Sequence, residues 1–222
     1  MTCSHPYLKK LSPDASVCTE CGMIIKKQGR IYDITPLQMP PVVYILTPER
    51  WEEIKPWPLM PFKIVKKYGW YISFIYGRQY LVMPVFEKGE GPVFYSARCI
   101  EKDCPKKYKY NTPENRERRM WTSGRLGKVV LVGEGIADAA YLSQLAPSLA
   151  LLGSHGELSR PVITITDGDQ AGIEAAFKIQ QALKAKGIVG SNAVMLPPGK
   201  DPTDLTLAEL RKIIKAQTGV RL

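Results

Sequence analysis

The sequence predicts an α/β chain: a parallel sheet flanked by helices in the C-terminal half, preceded by a small antiparallel sheet and a cysteine-rich N-terminal module. Three observations carry this reading. From residue 128 onward, short apolar runs alternate with stretches of helical apolar spacing, which implies parallel strands with helices on the sheet faces. Residues 62–125 alternate apolar and aromatic runs with glycine-containing turns (YISFIYG, YLVMPVF, GPVFYSAR), the pattern of an antiparallel sheet. Residues 1–30 are rich in cysteine and short of large apolar side chains.

The elements follow in order. Residues 31–61 hold seven of the 18 prolines and read as a linker, with a short strand at Val42–Leu46 and a helical turn from Pro48 to Ile54. In the C-terminal half, KVVLVGE is a buried strand, IADAAYLSQLA a helix, SLALLGS a second strand and PVITITD a third, rich in β-branched residues. QAGIEAAFKIQQALKAKG is a helix ended by Gly187. SNAVMLP is a fourth strand, and LTLAELRKIIKAQTG a last helix with Thr206 as its cap. The domains expected are therefore 1–30, a linker over 31–61, a basic subdomain over 62–125 and an α/β domain over 126–222.

At 222 residues, 45% apolar and 23% charged, the chain suits one moderate domain with small appendages around a real core. No window holds 18 apolar residues, and MTCSHPYLKK lacks the apolar stretch of a secretory signal. With an odd count of five cysteines, a disulfide scaffold is not expected. Closely spaced cysteines read as metal ligands, while Cys99 and Cys104 lack a second pair and read as structural or free thiols.

The net charge of +10 points to a polyanion partner. Residues 1–125 carry 21 Lys/Arg against 12 Asp/Glu, and residues 126–222 carry 10 against 9. The densest stretch runs from Arg98 to Arg119, with Tyr108 and Tyr110 among its lysines. Bases can stack on such rings while lysines track phosphates, although a solvated loop would show the same composition.

Cys3-x-His5, twelve residues, then Cys18-x-x-Cys21-Gly22 is a pair of ligand turns separated by a hairpin's length of chain. That spacing suits one tetrahedral Zn²⁺ held by Cys3, His5, Cys18 and Cys21. A 30-residue piece buries too little surface to fold alone, so the metal would supply its stability.

Acids recur at three strand ends: Glu134 in GEGIADAA, Asp167 and Asp169 in TDGDQAG, and Asp201 and Asp204 in GKDPTDL. The C-terminal edge of an open α/β sheet is where ligands sit, so these carboxylates would converge there. Oxygen-only donors at this density favour Mg²⁺ or Mn²⁺, and like charges so close call for a cation between them. Taken singly, Asp169 can equally be the cap of the following helix, and Asp138 either a supporting acid or an ordinary helix-start charge.

Glu-Gly-x-x-Asp-Ala, Asp-x-Asp-x-Ala-Gly and Gly-Lys-Asp-Pro after successive strands resemble the TOPRIM domain. Gly153–Leu158 (GSHGEL) is similar to the turn after the second TOPRIM strand of DnaG-type primases. Arg98 and KYKYNTPE at 107–114 resemble the segment that precedes TOPRIM in that family. With the zinc-ribbon module in front, the order resembles the primase part of phage primase–helicases.

The resemblance implies a DNA primase, a nucleotidyltransferase making short RNA primers on single-stranded DNA from NTPs. Catalytic Mg²⁺ or Mn²⁺ would be held by Asp167 and Asp169 with Glu134 and Asp201. Glu134 would ligate directly, through water, or act as general base. Arg98, with Lys107 or Lys109, and Lys200 would hold phosphates. No Gly-x-x-x-x-Gly-Lys-Ser/Thr is present, so helicase and DNA polymerase would be partners in trans, in the cytoplasm or that of a bacterial host if phage-encoded.

Three rivals compete. A RecR-like recombination mediator combines a zinc module with TOPRIM but usually has weak Asp-x-Asp acids and a helical N-terminus. A TOPRIM nuclease would use the same acids for hydrolysis, whereas 222 residues leave no room for a topoisomerase's tyrosine domain. A non-catalytic replication factor would use the ribbon and basic face for docking alone.

Overall fold

A computed structural model describes residues 36–222 apart from 88, 90, 115, 117, 118 and 153–157. Of the first 35 it describes the backbone of four strands: β1 (Leu8–Ser12), β2 (Ala15–Cys18), β3 (Met23–Lys26) and β4 (Ile31–Asp33). They form an antiparallel sheet in the order β1-β2-β3-β4, so the N-terminal strand system runs past residue 30 to Asp33. Cys3, His5 and Cys21 lie outside the described residues, as does most of the GSHGEL turn, and Cys18 is described only as the last backbone position of β2.

The proline-rich stretch is built into the fold. It contains β5 (Tyr44–Ile45) and α1 (Pro48–Ile54). Thr47 caps α1 by accepting a hydrogen bond from the Arg50 N–H, and Pro48 supplies the fixed φ that a first helical position favours. Trp51, Trp57 and Met60 are buried, and the Trp51 indole N–H donates to the Met60 carbonyl at 2.9 Å. A tract holding two buried tryptophans is fixed by its side chains, whatever its proline content.

A short helix unread in the sequence, α2 (Phe62–Lys67), follows. Its six residues are too few for a period to register, yet Ile64 and Val65 point into the core and Lys63, Lys66 and Lys67 outward. Then come β6 (Tyr71–Ile75), β7 (Arg78–Phe86), β8 (Pro92–Cys99) and β9 (Tyr110–Asn111). With β5 they make an antiparallel sheet ordered β5-β6-β7-β8-β9. Cys99, at the end of β8, forms a disulfide with Cys104, so these two are paired rather than free thiols.

The C-terminal half is the expected α/β layer: β10 (Trp121–Thr122), β11 (Leu131–Gly133), α3 (Ile136–Leu142), β12 (Ser148–Ala150), β13 (Ile163–Thr166), α4 (Gln170–Ala185), β14 (Asn192–Met195) and α5 (Leu207–Thr218). The order is β10-β12-β11-β13-β14. β11 through β14 are parallel, and β10 closes one edge antiparallel to β12. The α3 helix stops at Leu142 rather than near residue 146: there the bonds tighten to i→i+3 turns, with the Gln144 N–H donating to the Tyr141 carbonyl and the Leu145 N–H to the Leu142 carbonyl. Thr206 caps α5 in a reciprocal box with Glu209, as its position before the apolar run predicts.

One core joins the two halves. Trp51, Ile72, Leu81 and Phe94 from the antiparallel side pack in the same cluster as Leu131, Ile136, Leu142 and Ile165 from the parallel side. Tyr68 stacks edge-on against Trp121 at 4.7 Å, and its hydroxyl is 2.9 Å from the Ser143 hydroxyl. The two halves thus share one close-packed interior.

Candidate active site

The cleft, about 590 Å³, opens where β8 and β9 face the C-terminal ends of β11 and β13. One wall carries Arg98, Lys109, Tyr110 and Trp57. The other carries Glu134, Asp138, Asp167, Asp201 and Asp204. Glu134 and Asp167 directly follow β11 and β13, Asp138 lies in the first turn of α3, and Asp201 and Asp204 lie on the turn between β14 and α5, all at the ligand-binding edge of such a sheet.

Backbone contacts hold these strand ends together. The Asp167 N–H donates to Glu134 Oε1 at 3.2 Å, joining the end of β11 to that of β13. The Gly168 N–H donates to the Lys200 carbonyl at 2.7 Å, and the Gly199 N–H donates to the Gly168 carbonyl at 2.9 Å. A Cβ at Gly168 would lie 2.0 Å from the Pro197 carbonyl oxygen, so a side chain would push apart the turns bearing Asp167 and Asp201. The Tyr141 hydroxyl donates to the Leu205 carbonyl, anchoring the Asp201–Asp204 turn on α3.

The acids play different local roles. Asp201 accepts hydrogen bonds from the Thr203 and Asp204 N–H groups and from the Thr203 hydroxyl, and still lines the cleft. Asp138 accepts from the Gly135 N–H at the start of α3 while its carboxyl forms part of the cleft floor. Asp169 caps α4: its Oδ1 accepts from the Gly172 N–H at 2.8 Å, and it does not line the cleft. Gly172 is required beneath it, because a Cβ there would meet the Asp167 carbonyl oxygen at 2.2 Å.

Crowding shows in the proton affinities. Burial pushes the Asp167 carboxyl up to about 6, and the charges of Glu134, Asp201, Asp169 and Asp204 push the same way. Asp138 rises to about 8, from burial first and then from Asp167 and Asp201, against the lowering effect of the Gly135 N–H. Among the described residues, no three His, Cys, Asp or Glu side chains gather tightly enough to hold an ion unaided. Mg²⁺ is commonly held by one or two carboxylates, with substrate phosphates completing its shell. The oxygen-only donors and their mutual repulsion fit such a cation.

On the basic wall the two candidate lysines separate. Lys109 lines the cleft, with its Nζ 5.8 Å from the Tyr110 ring centroid. Lys107 lies instead over Tyr108, 4.6 Å from its centroid, on a ring that Arg78 also covers, and does not line the cleft. Lys200 contributes its backbone to the stitched turns, and its side chain is absent from the cleft lining. The sequence reading missed Trp57, whose ring backs Arg98; the available signal was two tryptophans in a tract otherwise resembling a linker.

A Toprim-like family model matches residues 133–206, which run from the end of β11 through the Asp201–Asp204 turn. No curated protein matches the sequence. Among solved structures, the chain is similar to the zinc-binding and RNA polymerase domains of the Aquifex aeolicus primase: 19% identity, 77% of this chain, 56% of that chain, TM-score 0.57. It is similar to the primase fragment of the bacteriophage T7 primase-helicase: 16% identity, 92% of this chain, 93% of that chain, TM-score 0.53. It is also similar to a DnaG primase catalytic domain bound to ssDNA: 17% identity, 72% of this chain, 68% of that chain, TM-score 0.55. Residues 133–206 thus form a Toprim-like domain, and the chain has the fold of the TOPRIM DNA primases it resembles.

Proposed function

We propose that the protein is a DNA primase that joins nucleoside triphosphates into short RNA primers on single-stranded DNA. The observation that carries this reading is a cleft with carboxylates on one wall and Arg98 and Lys109 on the other. A triphosphate needs both: cations for its own charge, and acids for the divalent metal that accompanies it.

In the proposed reaction a 3′-hydroxyl oxygen bonds to the incoming α-phosphorus, the bond to the β-phosphate bridging oxygen breaks, and pyrophosphate leaves. Asp167, Glu134 and Asp201 would hold Mg²⁺ or Mn²⁺, which supplies charge neutralisation and Lewis acidity when bound. Arg98 and Lys109 bind phosphate oxygens and set the triphosphate across the cleft. Glu134, exposed at the cleft, would ligate the metal directly or through water, or accept the hydroxyl proton as general base. Asp169 fixes the turn carrying Asp167 and adds negative charge beside it. The Cys3, His5, Cys18 and Cys21 set, of which only the Cys18 backbone is among the described residues, would bind one structural Zn²⁺ in a module that selects the template start site. The helicase and DNA polymerase that use the primer would act in trans.

The test is incubation with Mg²⁺, labelled NTPs and mixed-sequence single-stranded DNA. Oligoribonucleotides support the reading. DNA cleavage without them supports a TOPRIM nuclease, and DNA binding with neither product supports a RecR-like or purely docking role.

A further inference from the structure

Arg98 is a cation in a cleft that five acids also line, yet among the described residues no carboxylate pairs with it. Aromatic rings hold it instead. Its guanidinium carbon lies 4.9 Å from the Trp57 ring centroid and 5.5 Å from that of Tyr110, and its Nη1 donates to the Tyr110 hydroxyl at 2.7 Å. The two plates differ in kind. Tyr110 is 51% exposed at the cleft mouth, whereas Trp57 is 5% exposed and packs at a tilt against Trp70, 5.9 Å away. Pro56 and Pro58 flank Trp57, and their rings fix the backbone on either side.

We propose that Trp57 is a positioning residue that holds the Arg98 guanidinium by stacking, away from the acidic wall, so that its charge remains available to a triphosphate. A guanidinium stacks well on an indole face and keeps its N–H donors free in the ring plane, which an ion pair would not allow. An arginine not held in this way would be drawn across the cleft toward Glu134, Asp167 or Asp201, and the charges of both partners would cancel. The proposal rests on the reading of Arg98 as a phosphate ligand given above.

The test is equilibrium binding of Mg·ATP to the full chain, with thermal unfolding followed in parallel. Trp57→Leu should weaken binding on the order of tenfold, and Trp57→Phe, a poorer but real cation–π partner, by about threefold. In an Arg98→Met background neither substitution should weaken binding further, since a residue acting through Arg98 has nothing left to act on. Should Trp57→Leu fail to fold, the Trp57→Phe comparison in the two backgrounds decides alone. Wild-type affinity in both Trp57 variants overturns the proposal, as does an equal loss with and without Arg98, which is the mark of a core filler. A wild-type chain that binds no triphosphate overturns the primase reading itself, and the positioning role with it.

Discussion

The Glu134 carboxylate accepts the backbone N–H of Asp167 at 3.2 Å, so a side chain proposed for chemistry also joins the ends of two parallel strands. The two roles separate by substitution. Glu134→Gln keeps the acceptor and loses the charge, and Glu134→Ala loses both. Both should reduce primer synthesis by about 100-fold or more. Only the alanine variant should lose stability, by about 1 kcal/mol. Urea unfolding beside a primer-synthesis assay checks this; full activity in Glu134→Gln would remove the charge from the mechanism.

Gly168 is where the two acidic turns touch. A methyl group there meets the Pro197 carbonyl oxygen at 2.0 Å, a contact that backbone must move to relieve. Gly168→Ala should cost about 1–3 kcal/mol by overpacking. It should also lower primer synthesis further than the stability loss explains, since Asp167 and Asp201 ride on the displaced turns. Denaturation midpoints and activity well below the unfolding temperature separate the two effects.

Much of this arrangement was legible beforehand. The parallel strands, α4, α5 and its Thr206 cap follow from apolar period and capping residues, which are local signals. The acids at three strand ends were visible because a parallel sheet places successive strand ends on one edge. What the sequence hid depends on tertiary packing. Proline content made residues 31–61 resemble a linker, while Trp51 and Trp57 anchor them in the core through contacts no local pattern encodes. Lys107 and Lys109 differ by two positions and were indistinguishable in sequence; the turn before β9 sends only Lys109 into the cleft. Asp169 fitted both a metal ligand and a helix cap, and its Oδ1 serves the cap.

The crowded acids give stability a pH dependence with a definite sign. Asp138 is pushed up to about 8 and Asp167 to about 6, both by burial first and neighbouring carboxylates second. In the unfolded chain both titrate near the ordinary value of about 4. Between those values the folded protein binds more protons, so stability falls as pH rises. In buffer without added divalent metal, the unfolding temperature should drop from pH 5 to pH 8. Added Mg²⁺ should recover part of the loss at pH 8, and Asp138→Asn should flatten the profile. A profile rising over that range would contradict the crowding.

Metal analysis tests the N-terminal module. One zinc per chain is expected, and Cys18→Ser combined with Cys21→Ser should abolish it. Zinc retained in the double variant would refute the ligand set. Loss of zinc should leave Mg·ATP binding in place, because the cleft residues all lie beyond residue 55.

The central claim is that the cleft directs templated synthesis. Its most direct test is to sequence the oligoribonucleotides made on single-stranded DNA of known sequence by the wild-type chain and by Asp167→Ala. Products complementary to the template in the wild type, and absent in Asp167→Ala, are predicted. Products unrelated to the template, products that persist without Asp167, or no products at all would contradict it.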